Sequence, residues 1–315
     1  MADLFGCIDR FFCQQGDVLE WGVTAPEPIE RPERLTQWLA AGKHGEMAYM
    51  QEHAAMRLEP RQFFPAAETI VLFLHRTPTR IVKCGNFAEA QVAAYACGPD
   101  YHVTLKRLMR ELDDQLRDLD PELQLKMFVD SAPVMERDLA VRAGLGWVGK
   151  NGLLLHPRYG SQFFVGGFFI NRPLEKTLPV IPDRCGTCRR CLEACPTAAI
   201  EENRQINATR CISYLTIEKK GEIPLEFRPQ IGNRIFGCDS CQQVCPWNGE
   251  HLAEVPAKDS KFNRPLQEWQ QVLQPGGGFK RLFKDTPLYR TGRQRMLRNV
   301  EIAIENNSPP ASERV

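Results

Sequence analysis

Eight of the twelve cysteines lie between residues 185 and 245, in two runs that each close on Cys-Pro. The first is Cys185-x2-Cys188-x2-Cys191-x3-Cys195-Pro196. The second is Cys238-x2-Cys241-x3-Cys245-Pro246, one cysteine short at its front, with Cys211 alone between the runs. This is the pattern of bacterial [4Fe-4S] ferredoxins, in which the closely spaced cysteines cap one side of a cube and the fourth of each run reaches the other cluster. That logic assigns Cys185, Cys188, Cys191 and Cys245 to one cluster, and Cys238, Cys241, Cys211 and Cys195 to the other. Zinc, the main alternative, calls for separated Cys-x2-Cys pairs, not an unbroken series of four followed by proline. A disulfide framework needs an oxidising compartment, to which nothing here points. A chain of this kind moves electrons one at a time. Cys7, Cys13, Cys84 and Cys97 have no metal spacing and read as ordinary small buried residues.

A length of 315 residues allows about two domains, and a hydrophobic fraction of 43% is normal for a globular chain with a real core. The net charge of +1 means that a nucleic-acid partner must be met by a local patch. No apolar run approaches the roughly 20 residues of a membrane span. The first residues show neither a basic and apolar leader nor a twin arginine. A cytoplasmic protein without membrane attachment, and a monomer, is expected.

Residues 1–175 alternate strand-like and helix-like segments and read as an α/β domain. Strands are expected at residues 20–24, 69–74 and 125–129. Helices are expected around Leu35 and Leu39 and over residues 101–119, where Leu105, Leu108, Leu112, Leu116 and Leu119 recur at helical spacing. Ser131 is expected to cap a helix with Pro133 in its first turn, carrying Met135, Leu139 and Ala143 and ending at Gly144. Residues 153–155 and 163–170 read as a hairpin turning at 158–161. A proline-rich linker leads into a ferredoxin-like domain, 176–250, followed by a basic helical tail, 251–315. There Lys280, Arg281, Lys284, Arg290, Arg293, Arg295 and Arg298 face only Asp285. Met296, Leu297, Val300 and Ile304 give the last helix an apolar face, and residues 306–315 look disordered.

Several familiar sites are excluded. Gly144-x-Gly146-x-x-Gly149 follows a helix instead of a strand, so it is no dinucleotide fingerprint, and no P-loop occurs. Asp100-Tyr101-His102 begins a corrinoid-type Asp-x-His-x-x-Gly pattern, but position 105 is leucine, and His102 reads as a helix-start histidine. Asp130 stands at a strand end next to a helix start. It is either a hydrogen-bond acceptor for that helix or a proton donor to a developing alkoxide or carbanion.

Five segments together resemble the epoxyqueuosine reductase family: Val129-Asp-Ser-Ala-Pro-Val134, Ala143-Gly-Leu-Gly-Trp-Val-Gly-Lys-Asn151, the first cysteine run, Cys211-Ile-Ser-Tyr-Leu-Thr216, and Ile231-Gly-Asn-Arg-Ile-Phe-Gly-Cys238 with the cysteines after it. They occur in order and cover residues 20–250. The resemblance implies a cobalamin in the N-terminal domain, without a protein histidine on cobalt, beside two [4Fe-4S] clusters. It implies reduction of epoxyqueuosine to queuosine at the wobble base of a tRNA, with electrons from a ferredoxin or flavodoxin. By it, Asp130 matches the proton donor and Arg57 a cobalamin contact. Leu154, Val165, Ser213, Cys238 and Asp239 fall where the family touches the corrin or its tail. Lys219 and Lys220 follow the Cys211 motif where the family approaches RNA, a solvated turn being the alternative, and Arg293, Arg295 and Arg298 extend a basic patch. Longer members continue into HEAT-type repeats, of which this chain keeps at most one unit. A reductive dehalogenase, which uses the same cofactors, and a plain electron-transfer protein are the competing readings. The first usually carries an export signal, and the second leaves the N-terminal domain unexplained.

Overall fold

The most apolar segment of the N-terminal half, Thr69–Arg76, becomes an inner strand of a four-stranded sheet in the computed structural model. The structure describes residues 3–78, 81, 89–176, 178–253 and 261–308. The strand order is Val18–Thr24, Thr69–Arg76, Phe163–Ile170, Leu125–Val129, and each neighbouring pair is antiparallel. The alternation of strands and helices is as the sequence indicates. The pairing means that the rule placing ligands at the carboxyl ends of parallel strands has no purchase here.

Both faces of the sheet are covered, which explains why its inner strands read as unbroken apolar runs. Val71, Phe73, Phe168 and Ile170 point to one face, where they pack with Ile8, Phe11 and Phe12 of the Leu4–Gln14 helix and Leu105, Met109 and Leu112 of the Tyr101–Leu119 helix. Ile70, Leu72, Leu74 and Phe169 point to the other, against Leu139, Ala140 and Ala143 around the Glu136–Arg142 helix. The strict period of two along each strand puts neighbours on opposite faces. Gly166 and Gly167 stand in the middle of this packing, opposite Val129 and Phe128. A Cβ on Gly167 would lie 2.4 Å from the Phe128 ring and 2.5 Å from the Val71 carbonyl oxygen. Only glycine lets these aromatic rings cross the central strand.

Several expectations are corrected. Ser131 caps nothing: the helix begins at Glu136, and Ser131 Oγ instead donates to Val129 O at 3.4 Å. The chain first passes through a sharp turn at Asp130, which delays the helix. Residues 153–155 do not pair with 163–170. Leu154–Leu155 pairs with Trp147–Val148, and a bridge between His156 and Gly160 closes the turn. Cys13 is exposed and Cys97 only half-buried, whereas Cys7 is buried; Cys84 lies outside the described residues. Asn306 and Asn307 belong to the last helix, Arg293–Asn307.

The chain divides into two compact units. The first joins Met1–Gly42, Ala48–Thr77 and Tyr101–Cys188; the second joins Lys43–Met47, Pro78–Asp100 and Arg189–Val315. In the second, Ile235 and Phe236 share one core with Trp269, Phe283, Leu288, Met296 and Val300. The basic tail and the strand preceding Cys238 are thus packed together. Among the described residues, no helix is long and apolar enough to cross a membrane.

Candidate functional site

The first unit concentrates its polar chemistry where the Leu125–Val129 strand ends. Asp130 follows directly, with a φ of +24° in the left-handed region that residues bearing a Cβ rarely adopt. Such a conformation costs about 1–3 kcal/mol and persists only where its surroundings hold it. Tyr101 Oη donates to Asp130 Oδ2 at 2.6 Å, and His102 Nε2 stands 3.4 Å from the same oxygen. Tyr101 in turn is stacked between His102, 4.1 Å away, and Phe164, 4.2 Å away and nearly parallel. Burial pushes the Asp130 carboxyl up, but the hydrogen bonds from His102 and Tyr101 outweigh it and leave the group below the ordinary carboxylate range. The side chain keeps 59% of its surface accessible, in keeping with hydrogen bonding as the stronger influence. His102 is therefore a partner of the acid and not only a helix-start residue. Tyr101 escaped the sequence reading, although it sits inside the Asp100-Tyr101-His102 triplet.

Arg57 is buried on the short Ala54–Leu58 helix and is poorly satisfied. Its Nη1 reaches Ala132 O and Val134 O only at 3.5 and 3.4 Å, and its Nε has no hydrogen-bond partner among the described residues. Burial lowers its pKa, against the pull of Glu136, Tyr49 and Asp130, while burial raises that of Glu136. A buried guanidinium with an orphaned N–H suits a ligand rich in carbonyl or amide oxygens. Asn151 Nδ2, in the turn leading to Leu154, is a second buried donor left without a partner. Leu154 is buried on its two-residue strand, and Val165 is half-buried, paired in register with Leu74.

Also in the first unit, Lys150 Nζ donates to Gly186 O and Cys188 O, both at 2.8 Å, and so fixes the loop between the first two cysteines. In the second unit, Cys211 caps the Ile212–Ile217 helix, which carries Ser213. Burial raises the Cys211 thiol, and nearby Cys238 and Cys195 add to the effect. Cys241 is pushed well above its usual value by burial, with Cys238, Cys211, Asp239 and Cys191 contributing. Cys211 thus lies near Cys195 and Cys238, and Cys241 near Cys211, Cys238 and also Cys191, which the spacing assigns to the other cluster. Burial keeps such thiols protonated, and bound iron is what would hold them as thiolates. Among the described residues, no three His, Cys, Asp or Glu side chains are disposed around a single ion. A cube attaches its four thiolates to separate irons. Asp239, beside Cys238, accepts from Ala94 N at 2.8 Å, and burial raises its pKa to about 6.

The basic residues of the second unit divide. Lys219 pairs with Glu46, whose other oxygen accepts from the Lys220 backbone at 2.8 Å, and the Lys220 side chain is exposed. Arg293 donates to Leu273 O, Arg295 to Thr291 O and Ile217 O, and Arg298 to Leu215 O, Lys219 O and Gly221 O. These three guanidiniums are half-buried and occupied with backbone carbonyls. That departs from the free basic patch their spacing suggests, whereas Lys220 is exposed, as are Lys280, Arg281 and Lys284.

Comparison with known proteins adds the following. A family model described as epoxyqueuosine reductase QueG, DUF1730, matches residues 57–131, and one described as a 4Fe-4S double cluster binding domain matches residues 184–248. The chain is 40% identical over 296 residues to an epoxyqueuosine reductase of Pseudomonas aeruginosa, covering 90% of this chain and 81% of the relative. It is 41% identical over 277 residues to one of Cyclobacterium marinum, covering 86% and 87%. Among solved structures, it resembles an epoxyqueuosine reductase crystallised with an epoxyqueuosine-modified tRNA-Tyr stem loop, with a TM-score of 0.84 and 29% identity over 96% of this chain and 82% of that one. A Bacillus subtilis epoxyqueuosine reductase, whose catalytic aspartate loop is swung out of the active site, superposes with a TM-score of 0.82 and 29% identity over the same shares.

Proposed function

The chain belongs to the epoxyqueuosine reductase family, and from that membership we propose that it reduces epoxyqueuosine to queuosine in a tRNA anticodon stem loop. The observation that carries the reading is the acid at the strand end: a solvent-accessible Asp130 in a strained turn, held by Tyr101 and His102. An electron-transfer protein has no use for such a group. The relative crystallised with a modified stem loop supports the same class of substrate.

Turning an epoxide into an alkene takes two electrons and two protons and releases one water. When bound, the two [4Fe-4S] clusters and a cobalamin would supply the electrons at low potential, fed by a ferredoxin or flavodoxin. The eight cysteines hold the clusters in the pairing given above. Arg57 and Asn151 offer buried donors to cobalamin, and half-buried Val165 offers it apolar surface, while Leu154 packs in the core beneath. Asp130 delivers a proton to the epoxide oxygen, since ring opening without one leaves an alkoxide. Its depressed pKa means that it rests ionised at neutral pH, so it must take up a proton before each turnover, and His102 and Tyr101 are the groups in contact to pass one. Lys220 is the cation we assign to the RNA backbone.

The direct test is anaerobic reconstitution with iron, sulfide and cobalamin, addition of a reduced flavodoxin or another low-potential reductant, and nucleoside analysis of epoxyqueuosine-bearing tRNA. Queuosine should accumulate. Its absence from a preparation holding both clusters and cobalamin would overturn the reading.

A pH prediction follows from Asp130. Because its pKa in the folded protein is lowered, the protonated fraction grows as pH falls below neutral, and the single-turnover rate should climb with it. Tyr101→Phe removes one hydrogen bond to the carboxylate, which raises the pKa and should move that acidic limb to higher pH. A limb at the same pH in Tyr101→Phe as in the parent protein would exclude Tyr101 as the partner that tunes the acid.

A further inference from the structure

Asn299 is fully buried in the Arg293–Asn307 helix, and every polar atom of its side chain is used. Its amide nitrogen donates to Thr216 O at 2.8 Å and to Ile235 O at 2.9 Å. Its oxygen accepts from Arg298 Nε and Nη2 at 3.1 and 2.9 Å. The two carbonyls belong to different segments. Thr216 lies on the Ile212–Ile217 helix that Cys211 caps, and Ile235 lies on the Arg234–Phe236 strand that runs into Cys238. The same segments are joined directly as well, because Thr216 Oγ1, fully buried, accepts from Gly237 N at 2.9 Å and donates to Ile212 O at 2.7 Å. Arg298 adds bonds to Leu215 O and Lys219 O, closing the end of the Cys211 helix.

Buried polar groups in a low-dielectric interior are held to one arrangement, since any displacement leaves donors and acceptors unpaired. We propose that Asn299 and Thr216 are positioning residues for the cluster ligated by Cys211 and Cys238, fixing the separation of the two peptide segments that carry those cysteines. The proposal rests on the cluster assignment given above. It recasts the basic C-terminal helix as a brace for an iron–sulfur centre. Amide N–H groups and peptide geometry around the ligating sulfurs tune a cluster's potential, so the brace would set that property as well as retention of the metal.

The test is anaerobic reconstitution of the full chain, read by iron content, the spectra of both clusters and their midpoint potentials. Asn299→Asp sets carboxylate oxygens against two carbonyl oxygens. It should lower iron from about eight to about four per folded chain, with the spectrum of the other cluster intact. Thr216→Val removes the acceptor of Gly237 N and should shift the potential or spectrum of that same cluster, and Thr216→Ser, which keeps the hydroxyl, should restore it. Leu288→Ala, in the same core but on neither segment, should cost stability and leave both clusters unchanged per folded chain. If Asn299→Asp does not fold, the Thr216 pair decides. Unaltered iron, spectra and potentials in the folded variants would overturn the proposal. A parent protein that takes up one cluster or none would overturn the cluster assignment itself.

Discussion

Asp130→Asn should lower the single-turnover rate of queuosine formation by at least about 10²-fold while both clusters and cobalamin stay at full content. The amide is nearly isosteric, and its oxygen can still accept from Tyr101. Asparagine also tolerates a positive φ, so the turn at +24° is not made worse. What is lost is the proton, which an amide cannot release near neutral pH. If Asp130 served only to hold the turn, the variant would lose some stability and turn over at a near-normal rate per loaded molecule. That second pattern would sink the assignment.

Cys211→Ala should cost half of the metal. Iron should fall from about eight to about four per chain after anaerobic reconstitution, and one cluster's spectrum should survive. Cys211 lies outside both runs, yet its thiol is in electrostatic reach of Cys195 and Cys238, which the spacing assigns to the same cluster. With half of the relay gone, reduction of the epoxide should fall below detection. Full iron with both spectra unchanged would refute the pairing.

The parts of this molecule that sequence disclosed are those governed by local periodicity. The helix Tyr101–Leu119 was legible to the residue because its leucines recur at helical steps, and all but the terminal Leu119 face one core. The strands were legible as strands, but which strand pairs with which was not. Leu154–Leu155 and Phe163–Ile170 are neighbours in sequence and find separate partners, since pairing is decided by contacts far along the chain. Ser131 looked like a helix cap because the residue type is right. The turn at Asp130 moved the helix start beyond its reach. Residue type gave Arg293, Arg295 and Arg298 a charge that suggested RNA, but it could not show that their guanidiniums also bind backbone carbonyls. The double-cluster domain was visible because metal spacing is a local property. The partnership of Tyr101 with Asp130 was not, since it exists only once a helix start and a strand end are brought together by the sheet.

The interleaving of the two units in the chain has a bearing on how the protein is made. The short strand Gln91–Val92 pairs with Arg234–Phe236, and Ala90 and Ala96 share a core with Met296 and Val300. Segments that leave the ribosome early therefore wait for the last helix before their half of the molecule can close. Contacts of such long sequence separation form slowly, and the apolar surfaces that await them are exposed in the meantime. During synthesis the first cysteine run emerges well before the helix that carries Asn299. A nascent chain thus presents thiols before it can enclose a cluster, and metal insertion is best timed to follow the emergence of that helix.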